Sequence, residues 1–255
     1  MTGLGLLLRK ELLEQVRTMR LFVVAIVFAL FGALSPMIAR YTPEIVKAVA
    51  GDQFSLTGLI QTPTTADAIA QFLKNLTQFG ALAAILLAMG AVAAEKERGT
   101  AAMILSKPVS RAAFLTSKLV AIAVNLLVSV AVAGALGYYY TLVLFKALPP
   151  ADYAAMCLLL WLSLIVYAAL TLLGSTLTRS TAAGAGVGFV FLVVTGIVSV
   201  LPRVGAYMPE SLATPAASLA LGTPAENLAG PVAVNLGLIV VALLVAWAVF
   251  RRQEL

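Results

Sequence analysis

The stretch EKERGTAAMILSKPVSR, Glu95 to Arg111, holds the densest group of side chains in this chain that could do chemistry. Acids and bases alternate at its start (Glu95, Lys96, Glu97, Arg98), and Lys107 and Arg111 follow a short apolar run. Charges in this pattern recognise a partner; bond-making chemistry needs groups that are missing here. The chain has no histidine, which removes a Ser-His-Asp triad, a Cys-His pair and the usual His-containing metal sites. Its single cysteine, Cys157, lies in an apolar run and reads as packing. A phosphate-cradling loop ends in Gly-Lys-Ser/Thr, and no Gly-Lys pair occurs. GSTLTRST, Gly174 to Thr181, has the small residues without the lysine. The chain is therefore expected to be no enzyme, with no catalytic residue, metal or cofactor of its own.

The elements that must position this loop are apolar. Of 255 residues 62% are hydrophobic and 11% charged, and the mean hydropathy is +1.03. A soluble domain carries roughly a quarter charged residues, and runs of about 20 apolar residues cross a bilayer as helices. Six such spans are read at about 21–39, 76–94, 115–142, 153–177, 183–201 and 231–250. The expectation is an all-α integral membrane protein, one transmembrane domain over 1–255. The third span runs through Tyr138-Tyr139-Tyr140 and is long enough to tilt or pass the interface. In the fifth, GAGVG (Gly184 to Gly188) has the small-residue spacing of close helix contact, either within the bundle or between subunits.

Lysine and arginine set an orientation. With the N-terminus inside, twelve of the 17 basic residues fall on the inner side and five on the outer, which places both termini in the cytoplasm of a prokaryotic cell. Residues 1–20 read as an amphipathic interfacial helix, with Leu8, Leu12, Val16 and Met19 on one face and Lys10, Glu14, Arg17 and Arg20 on the other; Arg9 and Glu11 belong to its charged RKE run. The competing reading is a cytoplasmic extension of the first span. Two outer segments exceed tight turns. Segment 40–75 is broken by Pro43, Gly51, Gly58 and Pro63 before a helix from Thr65 that Asp67 caps. Segment 202–230 holds four prolines, with a fifth at Pro231, in apolar sequence and reads as short helices dipping into the outer leaflet.

The charged residues are read as lying outside the six apolar cores, with Lys118 at the inner edge of the third. Proton-coupled carriers keep titratable groups at depth, so a transporter of this composition draws its energy from outside the membrane. The neutral groups Asn125, Ser129, Thr171 and Asn235 are the candidates for a translocation path, each weighed against ordinary interhelical bonding. An apolar interior suits lipids, hydrophobic peptides or drug-like amphiphiles.

The loop 95–113 now has a local reading. Gly99 turns the chain, Thr100 starts a short helix with Met103, Ile104 and Leu105 on its apolar face, Pro108 stops it, and Ser110 caps the third span. This is a docking knob for a cytoplasmic partner or a headgroup-embedded turn with snorkelling lysines. EKERGTAAMILSKPVSRAAFLTSK resembles the cytoplasmic loop of ABC-2 type ABC transporter permeases, matching at Glu95 or Glu97, Gly99, Thr100, Leu105, Pro108, Ser110, Arg111 and Lys118. The resemblance implies six transmembrane helices, an interfacial helix at the N-terminus, a coupling helix at Thr100 to Leu105, a charged hinge at Glu95, Glu97 and Arg98, and outer-leaflet helices over 202–230. It also implies an exporter of two permeases, identical or paralogous, and two cytoplasmic ATPase subunits that carry ATP and Mg. Membrane lipids are expected neighbours, and nucleic acid is not. The alternative is a non-transporting membrane scaffold that docks a partner through the same loop.

Overall fold

In the computed structural model of the chain the apolar runs become six helices long and apolar enough to cross a membrane. The structure describes residues 3–50, 62–105, 109–223 and 228–253, and helix is the only regular structure among them. In chain order the helices are α1 (Gly3–Arg17), α2 (Arg20–Ala50), α3 (Thr65–Ala88), α4 (Ala93–Glu97), α5 (Thr100–Leu105), α6 (Arg111–Leu144), α7 (Pro150–Leu177), α8 (Thr181–Ser199), α9 (Ala213–Ala220) and α10 (Ala229–Arg252). The spans are α2, α3 with α4, α6, α7, α8 and α10. A lipid interior offers no partner for peptide groups, so the helix, which satisfies its own, is the form these runs take. One end of the bundle carries α1, α4, α5 and most of the lysines and arginines; it is called the basic end below, and its opposite the far end.

The axis of the bundle is α7, with 72% of its most apolar window buried against 17% for α8 and α10. The buried side chains of α3, α6 and α7 (Phe72, Leu76, Ile85, Leu126, Met156, Leu164) form the core. Close contact is made by glycine where backbones meet. A Cβ on Gly32 of α2 would run into the Ala133 carbonyl of α6, and one on Gly184 of α8 into the Met89 carbonyl. At Gly188 it would lie 2.7 Å from Thr171 Oγ1 of α7. Gly184 and Gly188 of the GAGVG run thus serve packing within the bundle, while Gly186 faces open space.

Several boundaries differ from expectation. α2 does not stop near Arg40 but continues to Ala50 through Pro36 and Pro43. Proline removes one helical hydrogen bond, and the helix runs on through both, with Pro36 buried in the bundle. Thr64, not Asp67, is the N-cap of α3; Asp67 is its N3 partner, accepting from Thr64 N at 2.8 Å in a capping box. Ser110 caps α6, accepting from Ala113 N at 3.1 Å. α1 is a separate helix, divided from α2 by a left-handed turn at Met19 (φ 60°). Leu7 and Gln15 are its buried, protein-facing side chains, while Val16 and Met19 of the predicted apolar face are exposed. Periodicity tells which residues share a face, but a polar face is also buried where partners await it. The Lys107-Pro108 stop lies outside the described residues.

The glycine contacts make a differential expectation. Gly184→Leu overpacks a backbone contact and lowers stability by roughly 1–3 kcal/mol, whereas Gly186→Ala, which meets nothing, stays within about 1 kcal/mol of wild type. Thermal unfolding of the two purified variants checks this, and equal losses would remove the packing argument.

Candidate functional site

The strand of charge at the basic end is built on a break between α3 and α4. The backbone N–H groups of Val92 and Ala93, which would be orphaned at the start of a new helix, donate to the fully buried Ser175 Oγ of α7 at 3.1 and 2.9 Å. α4 therefore starts from a fixed point on the central helix. It closes on Gly99, whose φ of 70° favours glycine and whose surroundings are open. Thr100 opens α5 and its hydroxyl donates back to the Glu95 carbonyl at 3.2 Å.

Glu95 and Lys96 face inward from α4, in opposite directions. Glu95 Oε1 accepts from Lys118 Nζ of α6 at 2.8 Å, and Lys118 also donates to Glu11 Oε1 of α1 at 3.0 Å. The Lys118 side chain is only 3% exposed and sits over the Phe114 ring at 4.8 Å. Lys118, read from the sequence as an edge residue, is thus a buried ammonium within the third span, held by carboxylates from two other elements. Lys10 closes the network from outside, 3.0 Å from both Glu11 and Glu95 and 3.4 Å from Glu14. Carboxylate oxygens of Glu11, Glu14 and Glu95 lie within 4.8 Å of one another, and Lys10 and Lys118 sit among them as counter-ions. Burial works against ionising Glu11, yet Lys118 and Lys10 hold its carboxyl below its ordinary value of 4.5. Burial likewise opposes the charge on Lys10, and Glu11 and Glu95 raise it above its ordinary 10.5.

Lys96 points the other way, donating to the Thr176 carbonyl of α7 at 2.6 Å and to Gln253 Oε1 at 3.2 Å. Gln253 Nε2 donates to the same Thr176 carbonyl at 2.9 Å. Arg111, at the start of α6, donates to the Phe250 and Gln253 carbonyls, satisfying the open C-terminal end of α10. Phe114 stacks on Phe250 with centroids 5.5 Å apart. All six residues Glu95, Lys96, Arg111, Lys118, Glu11 and Gln253 therefore work as one knot between α1, α4, α6, α7 and α10.

The other predicted residues fall around this knot. Glu97, Arg98 and Gly99 are exposed at its surface, and Met103 on α5 is 69% exposed. Ile104 and Leu105 lie on α5, but their side chains, and Pro108, are outside the described residues. Arg9 and Arg17 of α1 are exposed. Asn125 donates to Gln15 and so binds α1 to α6, while Ser129 donates within α6 to the Asn125 carbonyl at 2.9 Å. Asn235 donates to the Tyr207 and Pro231 carbonyls at 3.1 and 2.8 Å, while its Oδ1 and the Thr171 hydroxyl are buried without a hydrogen-bond partner. Sequence reasoning named Glu11 and Lys118 without pairing them and missed Gln15 and Gln253. The available signal was Lys118 itself, since a lysine inside an apolar run requires an acid.

Comparison with known proteins agrees with this architecture. The family model described as ABC-2 family transporter protein matches residues 6–255. A relative from Bacillus subtilis (strain 168), the uncharacterized transmembrane protein YxlG, is 29% identical over 253 residues, covering 97% of each chain.

Two outcomes are expected of the knot. Lys118→Met leaves Glu11 and Glu95 with Lys10 alone as counter-ion and destabilises the docking of α1 by up to about 3–5 kcal/mol, while adding Glu11→Gln and Glu95→Gln restores most of it. Hydrogen exchange over 3–17 reads both, and a triple variant as labile as the single one refutes the pairing. The pH window follows from the two shifted groups. Glu11, with its folded value lowered, contributes fully above 4.5 and loses that contribution as pH falls through the lower folded value. Lys10, raised, contributes fully below 10.5 and loses it only as pH climbs higher. Protection of α1 should be flat between those limits and fall away in acid.

Proposed function

The chain belongs to the ABC-2 transporter family, and from that premise we propose that it is the permease of an ATP-driven exporter whose ATP and Mg are bound and hydrolysed on a separate cytoplasmic subunit. The observation that carries this reading is a contrast within one loop. Glu97, Arg98, Gly99 and Met103 stand out in solvent, while Glu95 and Lys96 beside them are locked into the bundle. A knob on a rigid root transmits force; a knob on a mobile loop does not. A partner that moves α5 moves α4, and α4 carries Glu95 with Lys118 and Glu11, and Lys96 with Thr176 and Gln253. Displacement at the tip thereby reaches α1, α6, α7 and α10 together.

The basic end is cytoplasmic in this reading, as the lysine and arginine distribution requires, and both termini lie there. Two ATPase copies and a second permease, identical or paralogous, complete the transporter. α5 is the coupling helix, with Glu95, Glu97 and Arg98 as its hinge. The cargo is an amphiphile that enters from the lipid. A groove of about 360 Å³ between α6 and α10, walled by Leu115, Leu243, Leu244 and Trp247, supports lateral access for an apolar chain.

Purification from the native membrane in mild detergent should bring down a stoichiometric P-loop ATPase. Met103→Asp or Arg98→Glu should weaken that association roughly thirtyfold, the effect of losing an interface hot spot, with insertion and thermal stability unchanged. Unaltered recovery of the ATPase with both variants would remove the coupling role of the loop.

A further inference from the structure

The second half of α10 changes chemistry in one direction along one face. Val240, Leu244, Trp247 and Arg251 follow one another at helical spacing and share a stripe. The first three wall the groove of about 360 Å³ whose other side is Ala112 and Leu115 of α6. That volume falls in the range of roughly 300–1,000 Å³ that holds small ligands. The groove lies between the start of α6 at Arg111 and the end of α10 at Arg252, helix ends whose arginines place them at the headgroups. From Val240 to Trp247 it follows about 10 Å of helix, against about 15 Å for one leaflet of a hydrocarbon layer about 30 Å thick. It therefore opens onto the leaflet that adjoins the basic end.

Where it meets the headgroups the groove meets positive charge. The Arg251 guanidinium lies 5.0 Å from the centroid of the Trp247 ring, so a wall of the groove also holds the charge at its end. Arg251 and Arg252 are exposed, and Arg111 crosses from α6 to the Phe250 and Gln253 carbonyls at the same end. None of the ion pairs among the described residues includes any of these three arginines; all of those pairs belong to the Lys118 knot. Among the described residues the only tryptophan N–H that donates is that of Trp161, to the Ala123 carbonyl, so the Trp247 N–H is open to a partner outside the chain. From its middle to its end the site is apolar, then amphipathic, then cationic. That is the order of tail, ester linkage and phosphate in a phospholipid. Two copies of the chain inserted the same way round, meeting through this groove, would bring both sets of arginines to one level, and a cationic head would meet the same repulsion. An anionic head is attracted, and arginine binds phosphate through paired N–H groups.

We propose that the groove between α6 and α10 is a binding site for an anionic phospholipid of the adjoining leaflet, with an acyl chain lying between Leu115 and Leu244 and the phosphate on Arg251 and Arg252. Basic pockets between transmembrane helices take anionic headgroups in this way. The inference goes beyond the transport reading and does not rest on it: it names what the groove binds, whether or not cargo also enters there. A lipid seated in the groove adds a contact between α6 and α10 beside the Arg111 bridge.

The chain has two tryptophans, so the fluorescence of the full-length Trp161→Phe protein reports on Trp247 alone. The protein is reconstituted without ATPase in phosphatidylcholine bilayers that contain a small fraction of either phosphatidylglycerol or phosphatidylcholine with brominated tails, which quench an indole they touch. Brominated phosphatidylglycerol should quench Trp247 at a mole fraction at least about tenfold lower, the effect of two arginines on an anionic head. Replacing both Arg251→Gln and Arg252→Gln should erase the preference, and Arg251→Lys should keep part of it. Arg179→Gln, at an exposed arginine outside the groove, should leave it unchanged. Ala112→Phe, which fills the groove from the α6 side, should weaken quenching by both lipids. Equal quenching by the two lipids, no quenching by either, a preference that survives loss of both arginines or falls as far with Arg179→Gln, or quenching unaltered by Ala112→Phe would each overturn the site. A chain that recruits no ATPase would still give the expected result, and failure of the lipid preference would leave the coupling loop untouched.

Discussion

The buried ammonium of Lys118 is the constraint on which the basic end depends. An unpaired charge there carries a penalty of several kcal/mol, so the chain must bring acids to it. The two that arrive, Glu11 and Glu95, come from an N-terminal helix and from the loop after the second span. If either α1 or α4 leaves its place, the buried charge loses one of its two carboxylates. Position at this end is therefore set by electrostatics in a low-dielectric setting, where a pair of contacts 2.8 and 3.0 Å long is stiffer than apolar packing of similar area.

A second tie runs through neutral acceptors. Lys96 and Gln253 share the Thr176 carbonyl, and Arg111 closes the end of α10. The result is a stiff basic end and a far end of different character. There the described residues join by packing and hydrogen bonds, and a proline-broken segment folds back onto α8, where Glu210 accepts from the Thr195 hydroxyl.

Much of this was legible in the residues. Hydropathy alone located all six spans, because lipid leaves an apolar run few options other than helix. Ser110 and Gly99 announced their turns through side-chain and backbone chemistry that acts over three or four residues. The misjudged points share a cause. Pro43 was read as a break because proline is judged by water-soluble standards, and Asp67 was read as the cap because the reciprocal Thr64 bond was not considered. Periodicity gave the apolar face of α1 but not its tertiary partners: Glu11 and Gln15 bond more than a hundred residues away, at Lys118 and Asn125.

By itself the sequence determined the membrane-spanning class, the number of spans, the basic asymmetry between the two ends and the charged loop with its turn, since each follows from local composition and short-range hydrogen bonding. Only the tertiary structure decided which charges meet. The pairing of Lys118 with Glu11 and Glu95, the use of Gly184 and Gly188 within the bundle, and the contact of Glu210 with Thr195 depend on how distant elements meet. Charges act through space, and distance in space cannot be read from distance along the chain.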